Sequence, residues 1–219
     1  MVNKNRTLGF DKIYVINLKH RTDRKQHIIK QLDIQHITNY EIIEAVKPTT
    51  QEVQEWNPAF CKEHEHTMHP EKFKRYTIGC LGCLKSHFNI IKLALSRNEQ
   101  QILILEDDTV FEQEYNKIFT YAKEINNEFD MLYLSGSNLG VNNKVSSNII
   151  KVDKTYTTGS YIINKQTMEY FVKHIEYYDR EVDVFYADKI QKKFNCYCIH
   201  PRVTTQLSGF SDIQQSFVD

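Results

Sequence analysis

The chain contains the stretch Ile102-Leu103-Ile104-Leu105-Glu106-Asp107-Asp108, from which its architecture can be inferred most directly. Four apolar residues end abruptly at three consecutive acidic residues. A short continuous apolar run is typical of a strand buried on both faces, as in a parallel sheet covered by helices. The carboxylates would then lie at the carboxyl end of the strand, where open α/β sheets bind their ligands.

Three adjacent carboxylates at the end of a buried strand create an electrostatic problem. Like charges repel each other, and burial removes the water that would screen them. A divalent cation that carries a phosphorylated ligand is the simplest compensation, so we expect a metal and phosphate site at this position. The alternative interpretation is an acidic turn that leaves the strand and binds nothing.

The sequence on both sides of this strand alternates between strand and helix patterns. This alternation predicts an α/β protein with a mixed, mostly parallel sheet and helices on both faces, in one domain over residues 1–219. Residues 46–77 are polar and weakly periodic, which favours a lid or an acceptor-binding loop. The predicted strands lie at 12–18, 39–45, 102–105, 130–134, 148–152, 158–163 and 196–201, and the predicted helices at 21–32, 82–97, 113–127, 165–175 and 183–193.

The composition restricts the class of partner. The 28 basic and 28 acidic residues give no net charge, so nucleic acid is not the expected partner. A hydrophobic content of 41% suits a globular core. We find no apolar run of the ~18 residues that span a bilayer and no signal-peptide core, and therefore expect a soluble, cytoplasmic protein without a membrane span. Five cysteines, an odd number, are consistent with reduced thiols.

The first predicted strand leads into a segment with two arginines, Arg21 and Arg24. Because they are three residues apart, they share a face on the opening turn of a helix. Arginine side chains beside a positive helix terminus suit a diphosphate or the edge of a nucleotide. Alternatively, Asp23 holds these arginines in a surface ion pair.

The segment Gly79–His87, "GCLGCLKSH", is predicted to be a glycine-punctuated loop that runs into a helix. Glycines permit close approach of the backbone to a ligand, and Ser86 and His87 offer hydrogen bonds from the same first turns.

Two further groups of residues have the composition of a metal site. They are Cys80, Cys83, Cys196 and Cys198, and Cys61, His64, His66 and His69. A CxC pair is a poor zinc knuckle, so buried structural thiols are the alternative for the first group. The second group has no strand or helix to hold it, and surface histidines are its alternative.

The last third of the chain offers several titratable candidates. Glu181, Asp183 and Asp188 are closely spaced acids, and Asp183 is either functional or a helix N-cap. His200, just after the last predicted strand, is either a core histidine or a late metal ligand.

In this order and spacing, the segments resemble glycosyltransferase family 25, the lipooligosaccharide and collagen galactosyltransferases. The resemblance implies a GT-A (Rossmann-like) fold, a UDP-sugar donor, dependence on Mn²⁺ (or Mg²⁺) and transfer with inversion. The segments that carry it are "VINLKHRTDR" (15–24), "GCLGCLKSH" (79–87), "ILILEDD" (102–108), "TTGSYIINKQTMEYFV" (157–172), "VDVFYAD" (182–188) and "HPRVTTQ" (200–206).

The resemblance also implies roles for individual residues. Asp108 would ligate the metal, Glu106 would either ligate it or face the ribose of the donor, and His200 would be a late metal ligand. Asp183 would be the catalytic base, with Glu181 and Asp188 as alternative candidates. The donor would contact Asn17, Arg21, Asp23, Arg24, Ser86, His87, Glu106 and Asp107.

The sequence thus predicts an inverting, metal-dependent glycosyltransferase. It would move a hexose, galactose or glucose, from a UDP-sugar to a hydroxyl of a glycan or protein-linked acceptor. Three other functions remain open: a nucleotide-sugar-binding module without turnover, a nucleotidyltransferase and a structural zinc protein.

Overall fold

A computed structural model describes residues 9–56, 69–138, 143–175, 179–213 and 216–218. The helices are α1 (Thr22–Ile34), α2 (Thr50–Trp56), α3 (Pro70–Ser96), α4 (Lys117–Lys123), α5 (Lys165–Ile175) and α6 (Val182–Phe185), and a π-helical turn (Tyr186–Ile190) follows α6. The strands are β1 (Lys12–Asn17), β2 (Tyr40–Glu44), β3 (Gln101–Glu106), β4 (Thr109–Phe111), β5 (Met131–Tyr133), β6 (Ser137–Asn138), β7 (Asn143–Lys144), β8 (Ile149–Lys151), β9 (Thr155–Tyr156), β10 (Ser160–Asn164), β11 (Cys196–Ile199), β12 (Thr204–Gln206), β13 (Gly209–Ser211) and β14 (Ser216–Val218).

Eight strands form one central sheet in the order β2-β1-β3-β10-β5-β11-β8-β7. The pairs β1–β2, β1–β3 and β5–β11 are parallel, whereas β10 runs antiparallel to both β3 and β5. Strand β8 is antiparallel to its neighbours β11 and β7. Six strands therefore share one direction, which confirms the predicted mixed, mostly parallel α/β sheet.

Strand β3 is buried on both faces, as its apolar run predicts. Ile102 and Ile104 pack into one apolar cluster together with residues of α3, α5 and α6. Leu103 and Leu105 point the other way, into a second cluster with residues of α1 and α4. Burying each of these four side chains contributes about 1.5–3 kcal/mol. The helices thus cover both faces of the sheet, as predicted.

The predicted loop at the start of the segment Gly79–His87 was wrong, because the whole segment lies inside the 27-residue helix α3, which begins at Pro70 and not at Gly82. A Cβ atom on Gly82 would lie 2.7 Å from the carbonyl oxygen of Val46 and 3.2 Å from Cδ of Pro48. The glycine therefore allows a close contact between the helix and the segment after β2. It does not end the helix, although glycine usually disfavours one.

The predicted polar excursion at 46–77 was also wrong in part. It contains α2 and the first turns of α3, and its residues 57–68 lie outside the described residues. Cys61, His64 and His66 fall in that range. His69 is the N-cap of α3, and its Nδ1 accepts a hydrogen bond from the Glu71 amide at 3.3 Å.

Among the described residues, α3 is the one helix that is long and apolar enough, by length and composition, to cross a membrane. Half of its apolar window is buried inside the protein. The buried residues, including Phe73, Leu84 and Ile90, belong to the core. Core helices of globular proteins can be equally long and apolar, and the buried side chains of α3 pack as those of a core helix do.

Two helices are shorter than predicted. Helix α4 ends at Lys123, and Asn126 and Asn127 then adopt positive φ values of 54° and 57°, which an α-helix does not continue through. The predicted helix at 183–193 is a single short turn followed by a π-helical turn.

Replacing Gly82 tests the contact between α3 and the segment after β2. Alanine gains about 1 kcal/mol of helix propensity, but its Cβ would displace the backbone of Val46 at a cost of about 1–3 kcal/mol. Gly82→Ala should therefore lower the free energy of unfolding, measured by urea denaturation. Asn89→Ala, at an exposed position of the same helix, should raise it slightly. A similar gain in both variants would contradict the contact.

Candidate active site

The three acidic residues lie at the carboxyl end of β3, as predicted. Glu106 is the last residue of the strand, and Asp107 and Asp108 form the turn into β4. Strand β12 pairs with β4, and the Leu207 amide donates to the Asp108 carbonyl at 2.7 Å. All three side chains line a cleft of about 520 Å³, which is also lined by α3, α6 and the segment after β2.

Asp107 and Asp108 share one cation, Arg24. Its Nη1 lies 3.2 Å from an oxygen of Asp107 and 3.0 Å from an oxygen of Asp108. The buried amide of Asn17 also donates to Asp107, at 2.7 Å. Asn17 therefore stabilises the acidic turn through a buried hydrogen bond and is not among the described residues that line the cleft.

The charge of the acidic turn is only partly compensated. Burial raises the pKa of Asp108 to about 7, and the charges of Glu106 and Asp107 add to this increase, while Arg24 opposes it. Burial also raises the pKa of Asp107. Three carboxylates thus face one guanidinium in a confined space. This is a donor set that a hard divalent cation such as Mn²⁺ or Mg²⁺ fits, because such ions prefer several oxygen ligands.

Glu106 contacts a different set of residues from the other two acids. Its carboxylate accepts a hydrogen bond from the Thr158 hydroxyl at 3.0 Å and lies 3.6 Å from Nε2 of His87. Burial opposes its ionisation, but the imidazole, the Thr158 hydroxyl and the Arg24 guanidinium together hold the pKa of Glu106 below its usual value. The Gln206 amide lies 3.4 Å from this carboxylate. Glu106 therefore contacts groups from α3 and from the segment before β10 within the cleft.

His87 and Ser86 also line the cleft, but the polar atoms of both side chains already contact other residues of the protein. Nδ1 of His87 is 2.7 Å from the Tyr161 hydroxyl, while no described residue makes a hydrogen bond to Nε2. The Ser86 hydroxyl donates to the Gly82 carbonyl at 2.6 Å and accepts from the Val46 amide at 2.8 Å. Ser86 therefore anchors the segment after β2 to α3.

Asp183 lines the same cleft from the first turn of α6. Its carboxylate accepts hydrogen bonds from the amides of Val184 at 2.8 Å and Thr157 at 3.4 Å. Thr157 has a φ of 90°, a strained backbone conformation for a β-branched residue. Burial raises the pKa of Asp183, and the charges of Glu181 and Glu106 raise it further. The N-cap of α6 is Glu181, so the N-cap interpretation of Asp183 was wrong.

The two other candidate acids of this region differ in position. Glu181 lines the cleft and accepts a hydrogen bond from the Tyr76 hydroxyl at 2.7 Å. Asp188 is exposed and lies 3.6 Å from Lys192 on the outer side of the π-helical turn. Asp183 and Glu181 are thus the two that a bound molecule could reach.

Arg21 and Arg24 have separate environments. Arg21 pairs with Asp23 at 2.9 Å and with Asp212, which lines the cleft from the turn after β13. The neighbouring Ile213 lies against Gly79, and a Cβ atom added at Gly79 would be 2.9 Å from the Ile213 Cα. The ion-pair interpretation thus applies to Arg21 and Asp23, whereas only Arg24 reaches the acidic turn.

The structure does not bring the remaining metal candidates together. His200 is exposed after β11, three strands from β3 in the sheet, and is not among the described residues that line the cleft. The four cysteines Cys80, Cys83, Cys196 and Cys198 do not form a metal-binding group in the described part of the chain. The interpretation of these four cysteines as one zinc site was therefore wrong for the residues that the structure describes.

Sequence reasoning missed Tyr76, Thr158 and Gln206 as cleft residues. Gln206 bridges the site, because its amide also lies 3.5 Å from Asp108. These residue types are common on any protein surface, so their identity alone does not predict a site. One indication was available in the sequence, because Thr158 and Gln206 lie inside segments that carry the family resemblance.

Comparison with known proteins gives a family match and several relatives. A family model described as "Glycosyltransferase family 25 (LPS biosynthesis protein)" matches residues 10–186. Procollagen galactosyltransferase 2 of Mus musculus is 28% identical over 169 residues, which cover 72% of this chain and 26% of that protein. The procollagen lysyl hydroxylase and glycosyltransferase of Acanthamoeba polyphaga mimivirus is 26% identical over 234 residues, with 93% of this chain and 26% of that protein covered. The chain thus spans about a quarter of the length of these relatives.

Among solved structures, the chain is similar to A197 from STIV. The TM-score is 0.46 at 10% sequence identity, and the match covers 94% of this chain and 92% of that chain.

The pKa of Asp108 predicts a pH-dependent effect on stability. The folded-state value of about 7 lies above the value of about 3.9 for an unfolded aspartate. The contribution of Asp108 to the free energy of unfolding is therefore full below about pH 4 and is lost as the pH rises through 7. Asp108→Asn removes this titration, so the variant should gain about 1–3 kcal/mol over the wild type between about pH 5 and about pH 8.

Urea denaturation without divalent cations measures this difference at each pH. Asp153→Asn, at an exposed position, is the control and should show no such trend. An Asp108→Asn difference that stays constant with pH would mean that the carboxylate is ionised without cost in the folded protein.

Proposed function

The chain belongs to glycosyltransferase family 25, as its motifs predicted, and we propose that it is an inverting hexosyltransferase. It would transfer galactose or glucose from a UDP-sugar to a hydroxyl of a glycan or protein-linked acceptor. The observation that carries this proposal is the arrangement of the cleft. The acidic turn with Arg24 and a separate carboxylate with a raised pKa, Asp183, line one space of about 520 Å³.

The acidic turn would form the donor side of the cleft. Asp108 and Glu106, with Asp107 beside them, would hold Mn²⁺ or Mg²⁺ through carboxylate oxygens. When bound, such a cation neutralises the negative charge that develops on the departing diphosphate. Arg24, which lies against Asp107 and Asp108, would then be placed to donate hydrogen bonds to phosphate oxygens.

Asp183 would act on the acceptor side. Inversion requires a base that removes the proton of the acceptor hydroxyl while its oxygen attacks the anomeric carbon. The bond from the anomeric carbon to the UDP oxygen breaks as the new glycosidic bond forms, and the proton moves to Asp183. The raised pKa of Asp183 suits this role, because it brings the carboxylate closer in basicity to the working pH. The amides of Thr157 and Val184 would hold the carboxylate in place.

The relatives favour galactose and a protein acceptor as first candidates. One relative is named procollagen galactosyltransferase 2. Another is named procollagen lysyl hydroxylase and glycosyltransferase. Because this chain spans about a quarter of their length, the sugar and the acceptor are proposed for it and are to be measured.

A donor panel tests the proposed reaction. UDP-galactose and UDP-glucose, each incubated with the protein and Mn²⁺, should release UDP, and one donor should be preferred. Release should stop when the cation is chelated. Calorimetric binding of a donor without any UDP release would favour the binding module instead. Pyrophosphate release from a nucleoside triphosphate would favour a nucleotidyltransferase.

Two aspartate variants test the division of roles. Asp108→Asn should weaken Mn²⁺-dependent donor binding in calorimetry, because it removes a cation ligand. Asp183→Asn should leave donor binding within about twofold of wild type and reduce transfer by about 10²–10⁴-fold, the usual contribution of a general base.

Asp188→Asn is the matched control, since Asp188 is an exposed aspartate five residues further along the same helical segment. It should alter neither donor binding nor transfer. An equal loss of donor affinity in Asp108→Asn and Asp183→Asn would remove the assignment of Asp183 as the base.

A further inference from the structure

The cleft contains a second group of ligand atoms whose chemistry differs from that of the acidic turn. Sγ of Cys83, Nε2 of His87 and a carboxylate oxygen of Glu106 all lie within 4.8 Å of one another. We propose that these three residues form a zinc site, which lies beside the proposed Mn²⁺ or Mg²⁺ site and shares Glu106 with it. The proposal does not depend on the glycosyltransferase reaction, because it concerns binding of the metal alone.

The imidazole of His87 supports this site most directly. The side chain is fully buried, and no described residue makes a hydrogen bond to Nε2. A buried polar atom without a hydrogen bond costs about 1–3 kcal/mol. Among the described residues Nε2 has only an electrostatic contact with Glu106, so its position suits a ligand. Nε2 faces Oε1 of Glu106 at 3.6 Å, which is too long for a hydrogen bond. Two ligands at about 2.0–2.2 Å from a tetrahedral zinc ion are about 3.3–3.6 Å apart.

The other side of the imidazole is already fixed. Nδ1 lies 2.7 Å from the Tyr161 hydroxyl, and the two rings are stacked with centroids 5.6 Å apart. Tyr161 in turn contacts the Tyr186 hydroxyl at 2.7 Å. Zinc-binding histidines usually have such a partner on their second nitrogen, which orients the ring and leaves one nitrogen for the metal.

Cys83 completes the group. It precedes His87 by four residues in α3, so the two side chains project from the same face of the helix. All three residues line the cleft, which gives the ion a path of entry and leaves room for a water molecule as fourth ligand. Zinc binding would replace the thiol proton, which is released to solvent.

The donor atoms distinguish this site from the acidic turn. Sulfur and imidazole nitrogen favour zinc, whereas carboxylate oxygens favour Mn²⁺ or Mg²⁺. Glu106 belongs to both groups, so zinc would withdraw one carboxylate from the acidic turn. If the proposed reaction is correct, zinc should therefore inhibit it even when Mn²⁺ is abundant. This inhibition depends on the proposed function, whereas the binding of zinc does not.

Cobalt(II) is the probe for the test, because it binds at zinc sites in place of zinc. A thiolate that ligates Co²⁺ produces a charge-transfer absorption band in the near ultraviolet. Metal-free full-length protein titrated with Co²⁺ should develop this band, and Zn²⁺ but not Mn²⁺ should abolish it. Cys83→Ser should lose the band and should bind Zn²⁺ at least about tenfold more weakly in competition. Asp108→Asn should keep the band, because its carboxylate belongs to the other site.

Two further serine variants are matched controls. Cys80 lies one turn before Cys83 on the same helix, with its sulfur beside Glu181, and Cys80→Ser should keep the band. Cys61→Ser, at a position outside the described residues, should keep it as well. The proposal is overturned if the wild type gives no thiolate band, if Cys83→Ser retains it, or if Cys61→Ser removes it.

Discussion

The cost of placing three carboxylates at the end of a buried strand is the constraint on which the cleft depends. The apolar part of β3 needs cover on both faces, and this brings α1 to one side and α3 to the other. Each helix then supplies a group that faces the acids: Arg24 from α1 and His87 from α3. Compensation remains incomplete, as the raised pKa of Asp108 shows. The same packing that forms the core therefore produces a negatively charged pocket.

The direction of one strand decides what lies opposite the acidic turn. Strand β10 runs antiparallel to β3, with Ser160 paired to Leu105. The residues that precede β10 therefore lie at the carboxyl end of β3. This brings the Thr158 hydroxyl to Glu106 and the Thr157 amide to Asp183. In a purely parallel sheet these residues would lie at the opposite edge, and the two sides of the cleft would not be connected.

Local patterns predicted the framework of the fold well. The strand predicted at 102–105 and the helix predicted at 165–175 depend on interactions between neighbouring positions, and β3 and α5 follow them closely. The continuation of α3 through Gly79 and Gly82 could not be predicted in this way. The role of Gly82 is a contact with Val46, which is far away in the sequence.

The same limit applies to the candidate site. The acidic turn could be located because its charges stand directly beside an apolar strand. The different partners of Arg21 and Arg24 could not be predicted, since they depend on where Asp212 and Asp107 lie after folding. Polar residues such as Gln206 carry no local pattern, and tertiary pairing alone brings them to the cleft.

The ion pair between Arg21 and Asp212 joins residues that are 191 positions apart. At about 5–20 residues per second, a ribosome needs about 10–40 s to add the second partner after the first. The first helix and the acidic strand are therefore synthesised well before the segment that closes their cleft. A nascent chain of this protein thus carries its three adjacent carboxylates long before it can form the complete cleft.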